Sequence, residues 1–135
     1  MQKLSKVIHD SGRRKTAIAR ATLKKGNGTI RINNILLDVF EPELYRLRIR
    51  EPLILAGNVS EEVDIDVNVE GGGPNSQAEA VRLAIARVLA EYAPKLKPKF
   101  LDYDRQLLVA DVRFKETHKP NMHGGARGKK QKSYR

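Results

Sequence analysis

Hydrophobic and polar positions alternate most regularly in Val63-Asp64-Ile65-Asp66-Val67-Asn68-Val69-Glu70, with an apolar residue at every odd number. That period of two predicts a strand with one buried and one wet face. Gly71-Gly72-Gly73-Pro74 ends it. The period then changes to that of a helix. Ala78, Val81, Ala84, Ile85, Val88, Leu89 and Tyr92 form one apolar face, with Arg82, Arg87 and Glu91 placed away from it. Ser76 and Glu79 fit a capping box that opens this helix, and Pro94 stops it.

Residues 15–24 read as a strand whose small face is Ala17, Ala19 and Ala21, followed by Leu23. Gly26-Asn27-Gly28 is a turn signal, and Thr29 to Asn33 alternates as a return strand, so the pair is predicted to be a hairpin. Asn33-Asn34 suggests a further turn before Ile35-Leu36-Leu37. Residues 41–50 look helical, with Pro42 in the first turn and early glutamates at the positive end of the helix dipole. Pro52 to Gly57 continues the connection, and residues 95–104 read as a Lys-rich connector holding Phe100-Leu101. Leu107 to Ala110 returns to the core as a strand or a short helix.

From Thr117 onward there is no Leu, Ile, Val or Phe. Such a segment buries too little apolar area to offset its ordering entropy, so alone it is expected to be disordered. Extended, its 19 residues would reach ~60 Å. The 135 residues therefore divide into an expected globular domain, 1–112, and an extended basic tail, 113–135.

Charge sharpens this division. The net charge is +10, but residues 1–25 carry eight Lys and Arg against one acid, residues 26–112 carry ten against fourteen, and residues 113–135 carry eight against one. Two basic ends around a slightly acidic middle point to a polyanionic partner, nucleic acid before an anionic membrane surface. There is no Cys, which excludes a disulfide scaffold, a thiolate metal site and a Cys nucleophile. No apolar run is long enough to span a membrane, and no signal-peptide core follows Met1 to Lys6, so a soluble intracellular protein is expected.

Candidate chemistry is sparse. Gly71-Gly72-Gly73 is either a tight turn needing left-handed backbone or a cradle for an RNA phosphate; the Gly-Lys-Ser/Thr of a nucleotide loop is missing. His118 and His123 have poor metal-ligand spacing, and Asp64, Asp66 and Glu70 share one strand face that is ordinarily solvated. No catalytic group, metal or cofactor is assigned. Arg13, Arg14 and Lys15, just before the first predicted strand, with Arg20 inside it, are candidates for phosphate contacts. Arg46, Arg48 and Arg50 are divided between RNA and ion pairs with Glu41, Glu43 and Glu51. In the tail, Lys119, Arg127, Lys129 and Lys130 alternate with Gly, Pro and Ser in the manner of segments that fold on RNA. Tyr134 offers a stacking ring and Arg135 a bidentate phosphate fork. A free RNA- or DNA-binding module of chaperone or chromatin type, and a nucleotide-using enzyme, are the alternatives.

Taken in order, several segments resemble the family of small ribosomal subunit protein nine. They are Ser11 to Ala21, the strand Val63 to Val69, Glu70-Gly71-Gly72-Gly73 with Gln77-Ala78-Glu79-Ala80 and Ile85-Ala86-Arg87, Tyr103-Asp104-Arg105 with Asp111, and the ending Gln131 to Arg135. Pro120-Asn121 and that ending are similar to the archaeal and eukaryotic branch. Where the family often has Gly before the Gln that opens the main helix, this chain has Ser76. The resemblance implies an α/β (α+β) two-layer sandwich of the ribosomal protein five domain-2 kind, with a left-handed β-α-β crossover. It implies a cytoplasmic ribosomal protein in the head of the small subunit, bound to small-subunit ribosomal RNA and to neighbouring head proteins. It also implies that Lys132, Tyr134 and Arg135 reach the P-site tRNA.

Overall fold

The computed structural model describes residues 6–128, 133 and 134. Five strands form one sheet: β1 (Ile8–Arg14), β2 (Ala17–Lys25), β3 (Ile30–Ile32), β4 (Ile35–Leu36) and β5 (Val63–Glu70), in the order β1-β2-β5-β3-β4. The helices are α1 (Glu43–Ala56), α2 (Asn58–Glu61), α3 (Pro74–Tyr92) and α4 (Leu96–Tyr103). α3 lies on the sheet against β1, β2 and β5, and α1 packs along α3. The result is a mixed α/β architecture with helices on one sheet face.

The predicted strand over 63–70 is β5, and its alternation decides which face is covered. Val63, Ile65, Val67 and Val69 are buried, together with Ala17, Ala19, Ala21 and Leu23 of β2 and Ile30 and Ile32 of β3. Their small and branched side chains meet α3, which is buried from Ala78 to Leu89 apart from the half-buried Glu79 and Arg87. Arg20, Lys24, Arg31, Asp66, Asn68 and Glu70 occupy the opposite, open face.

The structure corrects several local expectations. β2 and β3 are not a hairpin: β5 is inserted between them, antiparallel to β2 and parallel to β3. The Gly26–Gly28 turn is instead held by β5 itself. Asp64 Oδ1 accepts from the Asn27 and Thr29 amides at 2.9 and 3.0 Å, and Gly26 N donates to Glu62 O. The Asn33-Asn34 turn does form the β3–β4 hairpin, with φ of 50° and 67°. Asn33 also pairs both side-chain groups with the Val69 backbone, continuing the β5 ladder.

Arg13 and Arg14 do not precede the first strand. They end β1, an edge strand whose only large buried apolar side chain is Ile8. α1 runs past residue 50 to Ala56 because buried Pro52 costs one helical bond while Ile49, Pro52 and Ala56 pack inward. The Lys-rich connector contains α4, which buries Leu96 and Phe100. The run after it is a 3-10 turn, Arg105–Leu107, that buries Leu107. α3 begins at Pro74 with Gly73 as its N-cap and no side-chain cap, so Ser76 lies inside the first turn. Proline at the first helical position suits this start, since its missing N–H would have no partner there. Gly71 and Gly72 supply the left-handed turn before it, at φ of 77° and 65°. A Cβ on Gly71 would stand 2.6 Å from Thr16 O.

Asp64 gives a pH-dependent prediction. The amide hydrogen bonds from Thr29 and then Asn27 hold its carboxyl below the ordinary 3.8. A lowered native pKa adds stability that is complete above the unfolded value and is lost as pH falls through the native one. Asp64→Ala is expected to cost about 1–2 kcal/mol at neutral pH. In thermal melts, the gap from wild type should narrow below about pH 4.

Candidate nucleic-acid interface

Alternation on β1 sends Arg14 toward the helices, on the side of Gly12, and leaves Arg13 exposed at the strand end. Gly12 lets β1 lie directly on α3, since a Cβ there would meet Ala80 O at 2.2 Å. Arg14 therefore enters a charged cleft of about 370 Å³ between the end of β1, α1, the first half of α3 and the segment from Asp104 to Arg113. Five arginines (Arg13, Arg14, Arg48, Arg82 and Arg113) face four carboxylates there (Glu51, Glu79, Asp104 and Asp111).

The floor is Arg82, the one buried charged residue among those described. The expectation that it points away from the core is wrong, because α1 and the segment after α4 cover the second side of α3. Its Nε donates to Glu51 Oε2 at 2.8 Å and its Nη2 to Asp104 Oδ2 at 3.1 Å. Burial depresses its pKa, and the hydrogen bonds to Asp104 and Glu51 outweigh that and raise it, so Arg82 is always charged. Arg48 closes the next level, 2.9 Å from Glu79 and 2.5 Å from Asn75 Oδ1.

The wall is Asp111. Its Oδ2 lies 2.5 Å from Arg14 Nη1 and 2.7 Å from Arg113 Nη2, and its Oδ1 accepts from the Arg113 amide and Nε. The Arg113 hydrogen bonds, more than the Arg14 charge, hold the Asp111 carboxyl well below the usual carboxylate range. Arg13 lies over the Phe114 ring, 5.0 Å from its centre. Arg87 pins the same segment to β1, donating to Ser11 O at 2.7 Å and Leu108 O at 3.2 Å.

Of the residues singled out from sequence, Arg13 and Arg14 share this cleft. Lys15 is exposed in the β1–β2 turn at φ 53°. Arg20 is on the open sheet face, 3.1 Å from Glu70. Lys119 and Arg127 meet at Glu116, whose carboxyl they hold below its usual range. Residues 108–128 contain no helix or strand. Tyr134 is 86% exposed, and Lys129, Lys130, Lys132 and Arg135 lie outside the described residues. Arg46 is 3.7 Å from Glu43, as one of the two readings expects, whereas Arg50 pairs with Asp38 rather than Glu51. Sequence reasoning missed Arg113. An Asp and an Arg two residues apart in an extended chain carry no periodic signal.

Gly71 and Gly72 make the tight strand-to-helix turn, and Gln77 Nε2 donates back to Gly71 O at 3.0 Å. Among the described residues no helix is long and apolar enough to cross a membrane, and no cluster of three His, Asp or Glu could hold a metal ion.

Comparison with known proteins gives this arrangement a family. A curated small ribosomal subunit protein uS9 of Methanothrix thermoacetophila is 52% identical over 133 residues, covering 96% of this chain and 99% of its own. The uS9 proteins of Methanococcus maripaludis and Methanococcus vannielii are 50% and 48% identical over the same coverage. The family model for ribosomal protein S9/S16 matches residues 12–135, from the glycine that seats β1 on α3 to the final arginine. The chain belongs to the ribosomal protein S9/S16 family.

Proposed function

We propose that this chain is a structural component of the small subunit of cytoplasmic ribosomes, seated in the subunit head on small-subunit ribosomal RNA and beside other head proteins. The observation that carries this is near-complete collinear similarity to archaeal small-subunit proteins, at about half of all positions. The folded body, 1–112, docks through Arg13, Arg14, Lys15 and Arg20. The basic tail, 113–135, follows RNA through Lys119, Arg127, Lys129 and Lys130, with Lys132, Tyr134 and Arg135 at the P-site tRNA. The open basic strands and a cleft lined by five arginines support phosphate docking at several heights of the molecule. The parallel β3–β5 pair, joined through β4, α1 and α2, supplies the β-α-β crossover that the ribosomal protein five domain-2-like fold contains.

Nothing in this role requires chemistry by the protein. Its task is to neutralise phosphates and fix RNA geometry. The test is reconstitution with salt-washed small subunits lacking this protein. The intact chain should sediment with them stoichiometrically. A chain lacking Ser133-Tyr134-Arg135 should sediment equally but retain P-site tRNA less well. A chain that stays at the top of the gradient is a free RNA-binding module. A truncation that blocks assembly makes the tip structural.

A further inference from the structure

Residues 105–135 contain two acidic side chains, Asp111 and Glu116, and each bridges two cations. Each engages one arginine with both oxygens, Asp111 across two guanidinium nitrogens and Glu116 at one. Asp111 takes the Arg113 fork with both oxygens, at 3.0 Å to Nε and 2.7 Å to Nη2. Glu116 takes Arg127 Nε with both oxygens, at 3.0 and 2.8 Å. The second cations are Arg14 and Lys119. A phosphodiester presents the same pair of acceptor oxygens to the same fork, so carboxylate and phosphate compete for one site.

We propose that Asp111 and Glu116 act as internal stand-ins for RNA phosphates, filling the Arg14–Arg113 and Lys119–Arg127 sites in the free chain and leaving them when RNA docks. This rests on the RNA-binding reading and adds how the cations are kept until RNA arrives. Three observations favour exchange over a scheme in which Asp111 permanently aims the arginines at RNA. The Arg14 and Asp111 side chains are each only 19% exposed, so a phosphate reaches Arg14 by replacing the carboxylate. Arg14 Nη1 is buried against Asp111 without a well-directed hydrogen bond, so an aligned phosphate oxygen improves on its present partner. The Nε–Nη2 edge of Arg113 is taken by both Asp111 oxygens, so a phosphate can use that edge only in place of the carboxylate. The free chain thereby offers fewer unmasked cations to unrelated polyanions, and RNA that can place a phosphate in each site recovers them.

The test measures binding of the full chain to a 20-residue oligouridylate across a salt series. Wild type should bind with a steep negative salt dependence. Asp111→Asn should bind several-fold more tightly at low salt. Two released arginines should steepen its log–log slope by about 1.4, at roughly 0.7 per phosphate contact on a single strand. Asp102→Asn, an equal change of charge on the exposed side of α4, should leave the slope within about 0.3 of wild type. Adding Arg113→Gln to Asp111→Asn should remove about half of the extra slope, and melting curves confirm that each variant is folded. Equal behaviour of Asp111→Asn and Asp102→Asn, or weaker binding by folded Asp111→Asn, overturns the exchange while leaving RNA binding intact. A wild-type chain with no salt-dependent binding overturns the RNA reading itself.

Discussion

Gly12→Ala is expected to remove a large share of the protein's stability. The added Cβ would stand 2.2 Å from Ala80 O and 2.6 Å from Ala84 N, with Leu83 Cβ at 3.1 Å. The first two are backbone atoms of a helix buried on nearly every side, so no side chain can swing away. β1 must lift from α3, and it does so against its own pairing with β2 along seven residues. Ordinary overpacking costs about 1–3 kcal/mol; a clash with fixed backbone should exceed that, reaching about 4 kcal/mol. Small domains have only about 5–15 kcal/mol in hand. Urea denaturation should show a large drop in midpoint, and RNA binding should fall with it, because the same displacement pulls Arg13 and Arg14 out of the cleft. Gly125→Ala, where a Cβ meets nothing within 4 Å, should be silent. Wild-type stability in Gly12→Ala would mean that β1 does not rest on α3.

Gly12 also shows why β1 could not be read from the chain. A strand that packs through a missing side chain has no alternation, and after Ile8 nothing on the inner face of β1 is a large hydrophobe. β5 was legible because each inward position carries a Val or Ile. α3 was legible from its period, but not its first turn, because Pro74 reads equally as the end of a strand and the start of a helix. The false hairpin has a different cause. Gly26-Asn27-Gly28 is a genuine turn, but what it serves is decided by Asp64, some 37 residues away. Pro52 misled in the opposite sense. A local penalty marked a boundary that tertiary packing of Ile49, Pro52 and Ala56 overrides. The candidate interface divides in the same way. Arg13, Arg14 and Lys15 stand out as a run, whereas Asp111, Arg82 and Arg113 join them only through the fold.

Arg82→Ala is the second substitution expected to have a large effect, and its partners allow the cause to be isolated. Arg82 ties α3 to α1 through Glu51 and to the segment after α4 through Asp104. Removing one member of a buried ionic set leaves the others uncompensated, at about 3–5 kcal/mol when all are fully buried. Glu51 and Asp104 are about one third exposed, so solvent screens part of this, and about 2–3 kcal/mol is expected. At roughly 4 °C per kcal/mol for a chain of this size, the melting point should fall by about 10 °C. Arg82→Met, which restores most of the packing volume, should remain well below wild type if stranded charge is the dominant cost. Adding Glu51→Gln and Asp104→Asn to Arg82→Met should then recover stability, since a neutral set no longer has charges to strand. If Arg82→Met alone restores the melting point, the loss in Arg82→Ala is a cavity effect. The cleft gives a second readout. Without Arg82, four arginines face four carboxylates, so phosphate docking through Arg14 and Arg48 should weaken even under conditions where the variant is fully folded. The buried arginine thus has two separable consequences: it holds the helices and C-terminal segment around the cleft, and it balances Glu51 and Asp104 on the floor, so that Arg14 and Arg48 stand in a less negative field.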